Sequence, residues 1–296
     1  MSDNTDAAAS APGILQSGRP SRTALRVAAL RAVHQLLDEP TVLDDPLALR
    51  ILGSEREAAL RHDPFQYDEP LLRHLRASLV VRSRLAEDEL ARSVREGVAQ
   101  YVVLGAGLDT FAYRNPHGAA LRVFEVDHPA TQAWKRDMLA RAAITVPDTL
   151  RFVPIDFAHD TLAQALAAAG FRPDAPAFFS WLGVTVYLEA DAVLDTLRFV
   201  ASLPAPSGIL FDYRIADALL TPMQAGALGR MAERVAELGE PWKSAFDPAA
   251  LAERMQAFGF GELVDLGADE LNERYLARRK DGLRKGGGFR LMCARR

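Results

Sequence analysis

At 296 residues, 49% hydrophobic and 25% charged, the chain can bury one large core or two smaller ones, and its net charge of −4 offers no excess of positive charge for general nucleic-acid binding. The single cysteine, Cys293, excludes an intrachain disulfide and fits a reducing cytoplasm. No apolar run is long enough to span a bilayer and the first residues do not read as a signal peptide, so a cytoplasmic chain without membrane or nucleic-acid partners is expected.

Residues 1–20 are rich in Ala, Ser, Gly, Asp and Asn and read as a mobile tail. Ser21 is placed to cap a helix from Arg22 to Leu37, in which Val27, Leu30, Val33 and Leu36 supply an apolar face. Asp44-Asp45-Pro46 starts a second helix through Leu52, and a longer one is expected from Glu69 to about Glu96. From Gln100 the pattern changes. Tyr101–Leu104, Leu121–Asp127, Leu150–Ile155, Ala177–Leu182 and Gly208–Tyr213 are short apolar runs with strand character. Helical stretches follow them: Asp109–Asn115, Pro129–Ala143, Thr161–Ala169, Glu189–Ala201 and Met223–Gly239. Such alternation implies a parallel sheet with helices on both faces. Pro248–Phe258 is a further helix, and Gly261–Leu266 and Phe289–Cys293 are two last strands suited to an antiparallel edge. The expected fold is α/β and Rossmann-like: a mostly parallel seven-stranded sheet over residues 99–296, with residues 21–98 as an N-terminal helical lid.

Gly105-Ala106-Gly107 follows the first strand directly, where the backbone bends sharply and a Cβ would obstruct a ligand. Ligands of parallel sheets bind beyond the carboxyl ends of the strands. A dinucleotide site wants a third glycine, but Thr110 stands there, and Asp109 beside the turn would repel a pyrophosphate. A sulfonium cofactor without phosphate, S-adenosylmethionine, tolerates both. The second strand ends Glu125-Val126-Asp127; both carboxylates point to one side, and one is expected on the ribose hydroxyls with the other steadying the loop. The third ends Ile155-Asp156-Phe157. Asp156 suits either an adenine amino group or the N-cap of a turn, and Phe157 suits packing on the ring.

These pieces together resemble the leucine carboxyl methyltransferase family, most closely its bacterial S-adenosylmethionine-dependent members. The likeness is carried by Val103-Leu104-Gly105-Ala106-Gly107-Leu108-Asp109-Thr110, by Tyr113-Arg114 and by Phe124-Glu125-Val126-Asp127-His128-Pro129. Shorter matches are Ser21-Arg22-Thr23-Ala24, Arg31-Ala32, Asp45-Pro46, Arg82-Ser83-Arg84 and Tyr187-Leu188. The resemblance implies a class I methyltransferase fold and a small-molecule methyl acceptor. It also implies an arginine before the first strand on the methionine carboxylate of the cofactor, best matched by Arg82 with Arg84 as the alternative. Gly105 would then contact the methionine portion, with Gly107 and Asp109 in the same turn. Asp127 would take the ribose, and Asp156 with Phe157 the adenine. One departure stands out: many relatives carry Glu-Gly before the Tyr-Leu, whereas here the pair reads Leu182-Gly183.

Methyl transfer from a sulfonium needs alignment and dryness more than acid–base chemistry. A carboxylate acceptor needs no base. A hydroxyl acceptor needs one, with His128, His159 and Tyr187 as candidates, and Thr185 or Tyr187 is placed to supply a polar group near Leu182. Arg22 and Arg31 lie on the expected lid, and Arg31 is read as drawing an anionic acceptor. No metal-ligand cluster is visible. Two other readings stay open: an NAD-dependent oxidoreductase, disfavoured by Thr110, and a cofactor-binding module without catalysis, suggested by Leu182.

Overall fold

A computed structural model describes residues 22–156 and 160–296, apart from the side chain of Arg22. The expectations for residues 1–20, Ser21, Phe157, His159 and the Arg22 side chain lie outside the described residues. The helices and strands run α1 (Arg22–Leu37), α2 (Ser54–His62), α3 (Pro70–Arg95), β1 (Gln100–Leu104), β2 (Arg122–Asp127), α4 (Pro129–Arg141), β3 (Leu150–Pro154), α5 (Leu162–Ala168), β4 (Phe178–Trp181), α6 (Ala190–Ser202), β5 (Gly208–Arg214), α7 (Pro222–Glu237), α8 (Pro248–Phe258), β6 (Glu262–Leu266), α9 (Ala268–Leu276) and β7 (Phe289–Arg295).

The strands form one seven-stranded sheet in the order β3-β2-β1-β4-β5-β7-β6. β1 to β5 pair in parallel, and β7 runs antiparallel between β5 and β6. The reversed strand is therefore one in from the edge, with β6 outside it. Alternation along β1 sorts the two faces. Val102 and Leu104 join Leu166 of α5, Leu197 of α6 and Met255 of α8 in one core. Tyr101 and Val103 join Val81 and Leu85 of α3 and Leu271 of α9 in the other. α3 thus packs directly on the sheet.

α1 buries Val33 in a third cluster with Ile51, Leu52 and Leu139 of α4. The expected helix over residues 44–52 forms only turns and a short 3₁₀ segment, Arg50–Leu52, ended by Gly53 at φ +84°. α2 and α9 were not expected. α9 is short but amphipathic, and its Leu271 and Leu276 join Leu210, Leu291 and Cys293 in the core.

Direction matters most for function. β5 ends at Arg214 opposite Phe289, where β7 begins, so the carboxyl ends of the parallel strands, the start of β7 and the starts of α7 and α9 gather along one edge.

Candidate functional site

At the end of β1 the glycine turn is fastened to its neighbour. The Gly105 and Ala106 N–H groups donate to the Val126 carbonyl at 2.8 and 3.1 Å. Gly105 has φ +68°, and a Cβ there would collide with Val184 after β4. Glycine is required on both counts. Gly107 donates its N–H to Asp127 Oδ2 at 2.6 Å, and His128 donates to Oδ1 at 2.7 Å. Burial pushes the Asp127 carboxyl above its ordinary range, against the pull of these two N–H groups. Asp127 therefore sits between turn and strand, with carboxylate lone pairs left for a ligand's hydroxyls.

Glu125 does not share that place. It is buried against Lys135 of α4, at 2.7 Å, and accepts from Tyr113 at 3.2 Å, while its Oε1 has no hydrogen-bond partner. Burial pushes it up to about 7 even beside the ammonium. Its expected contact with the cofactor is corrected: it steadies the base of the turn. Asp109 is held by Arg31 and the turn. Oδ2 accepts from Arg31 at 3.0 Å and Oδ1 from the Phe111 N–H at 2.8 Å, so its charge is paired by a cation of the turn, unlike that of Asp127, which meets only N–H groups.

Arg31 is 6% exposed, with donors directed to Asp45 (2.8 Å), Asp109 (3.0 Å) and Thr110 (3.1 Å). The Thr110 hydroxyl in turn donates to Asp45 at 2.6 Å. Thr110 thus has a packing reason to replace a glycine, and the two Nη groups of Arg31 are taken by two carboxylates and a hydroxyl while its buried Nε has no partner. Arg31, expected to draw an anionic acceptor, holds the back of the turn through these contacts.

Arg82 reaches the ends of β4 and β5. Its Nη1 donates to Asp212 of β5 at 2.7 Å. A Cβ at Gly183 would stand 2.6 Å from Nη2 and 2.8 Å from Nη1, so glycine is what lets the guanidinium lie across the end of β4. Asp212 also accepts the Gly183 N–H at 2.6 Å, and its carbonyl accepts the Thr185 hydroxyl at 2.5 Å. Arg84 turns away, donating to Asp88 on its own helix at 2.8 Å. Sequence reading missed Asp212 and the tight fit at Gly183. A lone aspartate in an apolar strand, Phe211-Asp212-Tyr213, was the available signal. Leu182, next to Gly183, is half-buried against the sheet core, so the carboxylate at this edge comes from Asp212.

Asp156 is half-buried at the end of β3, where its N–H donates to Asp160 at 3.3 Å. Thr185 is buried and structural. Tyr187 is half-buried at the same edge, and burial with the nearby Glu240 carboxylate raises its phenol, which favours donation over a base's role. His128 caps α4, accepting from the Ala130 N–H at 3.2 Å. The first turn of α1 crosses the mouth: Thr23 donates to Glu240, and a Cβ at Gly107 would stand 3.3 Å from Ala24.

The donor set is a guanidinium at the end of β4 and carboxylates at the ends of β2 and β3, around a glycine turn whose rear cation is taken by two carboxylates. That set fits a ligand with a carboxylate, a diol and an adenine, and lacks a cation aimed from the turn at a phosphate.

The sequence profile described as leucine carboxyl methyltransferase matches residues 24–201. The chain belongs to this family. A Bacillus subtilis (strain 168) protein, provisionally named the S-adenosyl-L-methionine-dependent methyltransferase YktD, is 32% identical over 91% of this chain and 95% of its own length. A Parafrankia sp. (strain EAN1pec) protein with the same provisional description is 34% identical over 78% of this chain and 74% of its own. In fold, the chain is similar to a provisionally named methyltransferase from Thermobifida fusca, with TM-score 0.50 and 19% identity over 95% of this chain and 97% of that one. A Streptomyces avermitilis DUF574 family protein gives TM-score 0.50 and 18% identity over 90% and 97%. The profile stops near the end of α6, leaving β5, β6 and β7 outside it. Among the described residues no helix is long and apolar enough to cross a membrane.

Proposed function

We propose that this family member transfers a methyl group from S-adenosylmethionine to an oxygen, carboxylate or hydroxyl, of a small molecule. The observation that carries this reading is the placement of Arg82 over Gly183 and of Asp127 at the glycine turn, along one edge of the sheet. S-adenosylmethionine, when bound, supplies a methyl group activated on sulfur. Arg82 receives the methionine carboxylate through the guanidinium edge not taken by Asp212. Asp127 accepts from the ribose hydroxyls, and Asp156 from the adenine amino group. The first turn of α1 covers the mouth and keeps water out. Tyr187 orients the acceptor oxygen as a donor. With the partners so held, alignment is worth about 7–11 kcal/mol in favourable cases.

Calorimetry with S-adenosylhomocysteine and with NAD separates this reading from an oxidoreductase, which would bind NAD. Asp127→Asn should weaken S-adenosylhomocysteine by about tenfold or more, because a charge-assisted acceptor of two hydroxyls is worth roughly 1.5–3 kcal/mol. Unchanged affinity would remove the ribose role from Asp127. Turnover with acceptor libraries decides between an enzyme and a module that binds without catalysis. A methylated product that releases methanol in mild base identifies a carboxylate acceptor, and a base-stable one a hydroxyl.

A further inference from the structure

Alternation along β5 sends Ile209, Phe211 and Tyr213 to one face of the sheet and Leu210 to the other, so Asp212 falls on the face that α3 covers. Arg82 follows Val81 on that helix, and the two charges meet at the strand ends, Nη1 to Oδ2 at 2.7 Å. The fold fixes Asp212 from several sides. It lies opposite Leu291 of β7, and its carbonyl accepts the Thr185 hydroxyl at 2.5 Å. Its Oδ1 accepts the Gly183 N–H at 2.6 Å. The side chains of Asp212 and Arg82 are 7% and 16% exposed, so the pair is largely out of water.

Both groups keep hydrogen-bonding capacity, at a point where Gly183 has no side chain to cover them. A carboxylate offers about four lone-pair sites, and each Asp212 oxygen has one protein donor. Arg82 gives Asp212 one N–H and keeps the others. Charge balance decides what that capacity suits. By itself the pair is neutral. A lone carboxylate set on Arg82 would place two negative charges on one cation in a largely buried spot, which is costly. A zwitterion adds no net charge: its carboxylate meets Arg82 and its ammonium meets Asp212, giving a set of alternating charges. Other carboxylates near the turn and the mouth face elsewhere, Asp109 toward Arg31, Asp127 toward the Gly107 and His128 N–H groups, and Glu240 toward Thr23.

We propose that Asp212 binds the ammonium of the cofactor's methionine end, so that Arg82 and Asp212 read that zwitterion as one unit. This rests on the reading that Arg82 receives the methionine carboxylate. It adds a residue of β5, outside the residues 24–201 that match the family profile. The Arg82–Asp212 contact, made before any ligand arrives, holds both groups ready, and the neutral pair stays neutral when the zwitterion is seated.

The test is calorimetry on the whole chain with S-adenosylhomocysteine, its deaminated and decarboxylated analogues, and methylthioadenosine, which carries neither charge. The parent should bind S-adenosylhomocysteine at least about tenfold more tightly than either singly charged analogue. In Asp212→Asn the pair has a net positive charge. S-adenosylhomocysteine should then lose about tenfold or more while the deaminated analogue binds at least as tightly as before, so the preference between them disappears. Arg82→Gln should mirror this, weakening S-adenosylhomocysteine and sparing the decarboxylated analogue. Methylthioadenosine should bind parent and variants alike, whereas a carboxylate that only supports the fold would lower every ligand together and leave the ratios unchanged. An Asp212→Asn protein that keeps the parent's preference overturns the proposal, as does a parent that binds the deaminated analogue as tightly as S-adenosylhomocysteine. Should Asp212→Asn lose methylthioadenosine as well, Arg82→Gln decides: a shift of preference to the decarboxylated analogue sustains the pair, and parental ratios or a second loss of methylthioadenosine overturn it. Failure of the parent chain to bind S-adenosylhomocysteine is read first, and it would remove the methyl-donor reading itself.

Discussion

At the glycine-turn end of the sheet, buried charges face their counter-charges closely: Arg31 lies 2.8 Å from Asp45 and 3.0 Å from Asp109, and Lys135 lies 2.7 Å from Glu125. At the Lys285 end the buried ammonium rests on two carbonyls, and the neighbouring Arg284 and Arg278 have no ion-pair partner among the described residues. The first region lies within residues 24–201, which match the family profile, and the second lies beyond them. A closed set of pairs suits a part that must stay rigid to receive one cofactor. In the second region Arg278 and Arg284 are exposed and keep their hydration, so the desolvation cost falls on Lys285, which two carbonyls solvate.

The strongest way to break this comparison is to open a closed pair. Lys135→Met leaves Glu125 buried without its cation, and breaking a buried pair from one side typically costs about 3–5 kcal/mol. Urea unfolding should show a loss of that order. The sign with pH follows from Glu125. Its folded pKa of about 7 lies above the ordinary 4.5, so the native state favours the protonated form, and this group's contribution to stability falls as pH rises from 4.5 through 7. In Lys135→Met the fall should steepen and shift to higher pH. A variant as stable as the parent at pH 8 would show that the pair is dispensable.

Arg31→Ala comes next. Asp45 keeps Thr110 at 2.6 Å and Arg114 at 3.4 Å, so the loss should sit near the low end of that range, about 3 kcal/mol. Because Asp109 also loses its partner, the glycine turn loosens, and S-adenosylhomocysteine affinity should fall with stability. Normal cofactor affinity alongside impaired turnover would return Arg31 to the acceptor role that its sequence position suggests.

Arg82→Lys tests the edge between the two regions. A point charge reproduces neither the contact with Asp212 nor the flat approach over Gly183, so S-adenosylhomocysteine should bind about tenfold more weakly, with a smaller loss of stability than in Arg31→Ala because the positive charge is kept. The smallest effect is expected at the pair of Arg92 and Glu262, 2.9 Å apart but each more than 40% exposed. Arg92→Ala should change stability by less than about 1 kcal/mol, since exposed pairs are screened and mobile. A larger loss would mean that exposed pairs in this fold carry more than the comparison assigns them.

Much of this was legible along the chain because it depends on local periods. The alternation of strands and helices from Gln100 onward, the glycine turn at Gly105 and the carboxylate at Asp127 follow from residue spacing and backbone sterics. The roles of charged side chains were not legible in the same way. Glu125 and Asp127 sit two apart on one strand and point to one side, yet one meets Lys135 from a following helix and the other meets the turn. Arg31 reads as an open cation until Asp45 and Asp109, 14 and 78 residues away, close on it. Asp212 and Gly183 become a site only when Arg82, 130 residues before Asp212, lies across them. A charge is defined by its partner, and these partners come from distant stretches of chain, so the assignment of each ion pair, and with it the contrast between the two ends of the edge, exists only after the sheet has brought them together.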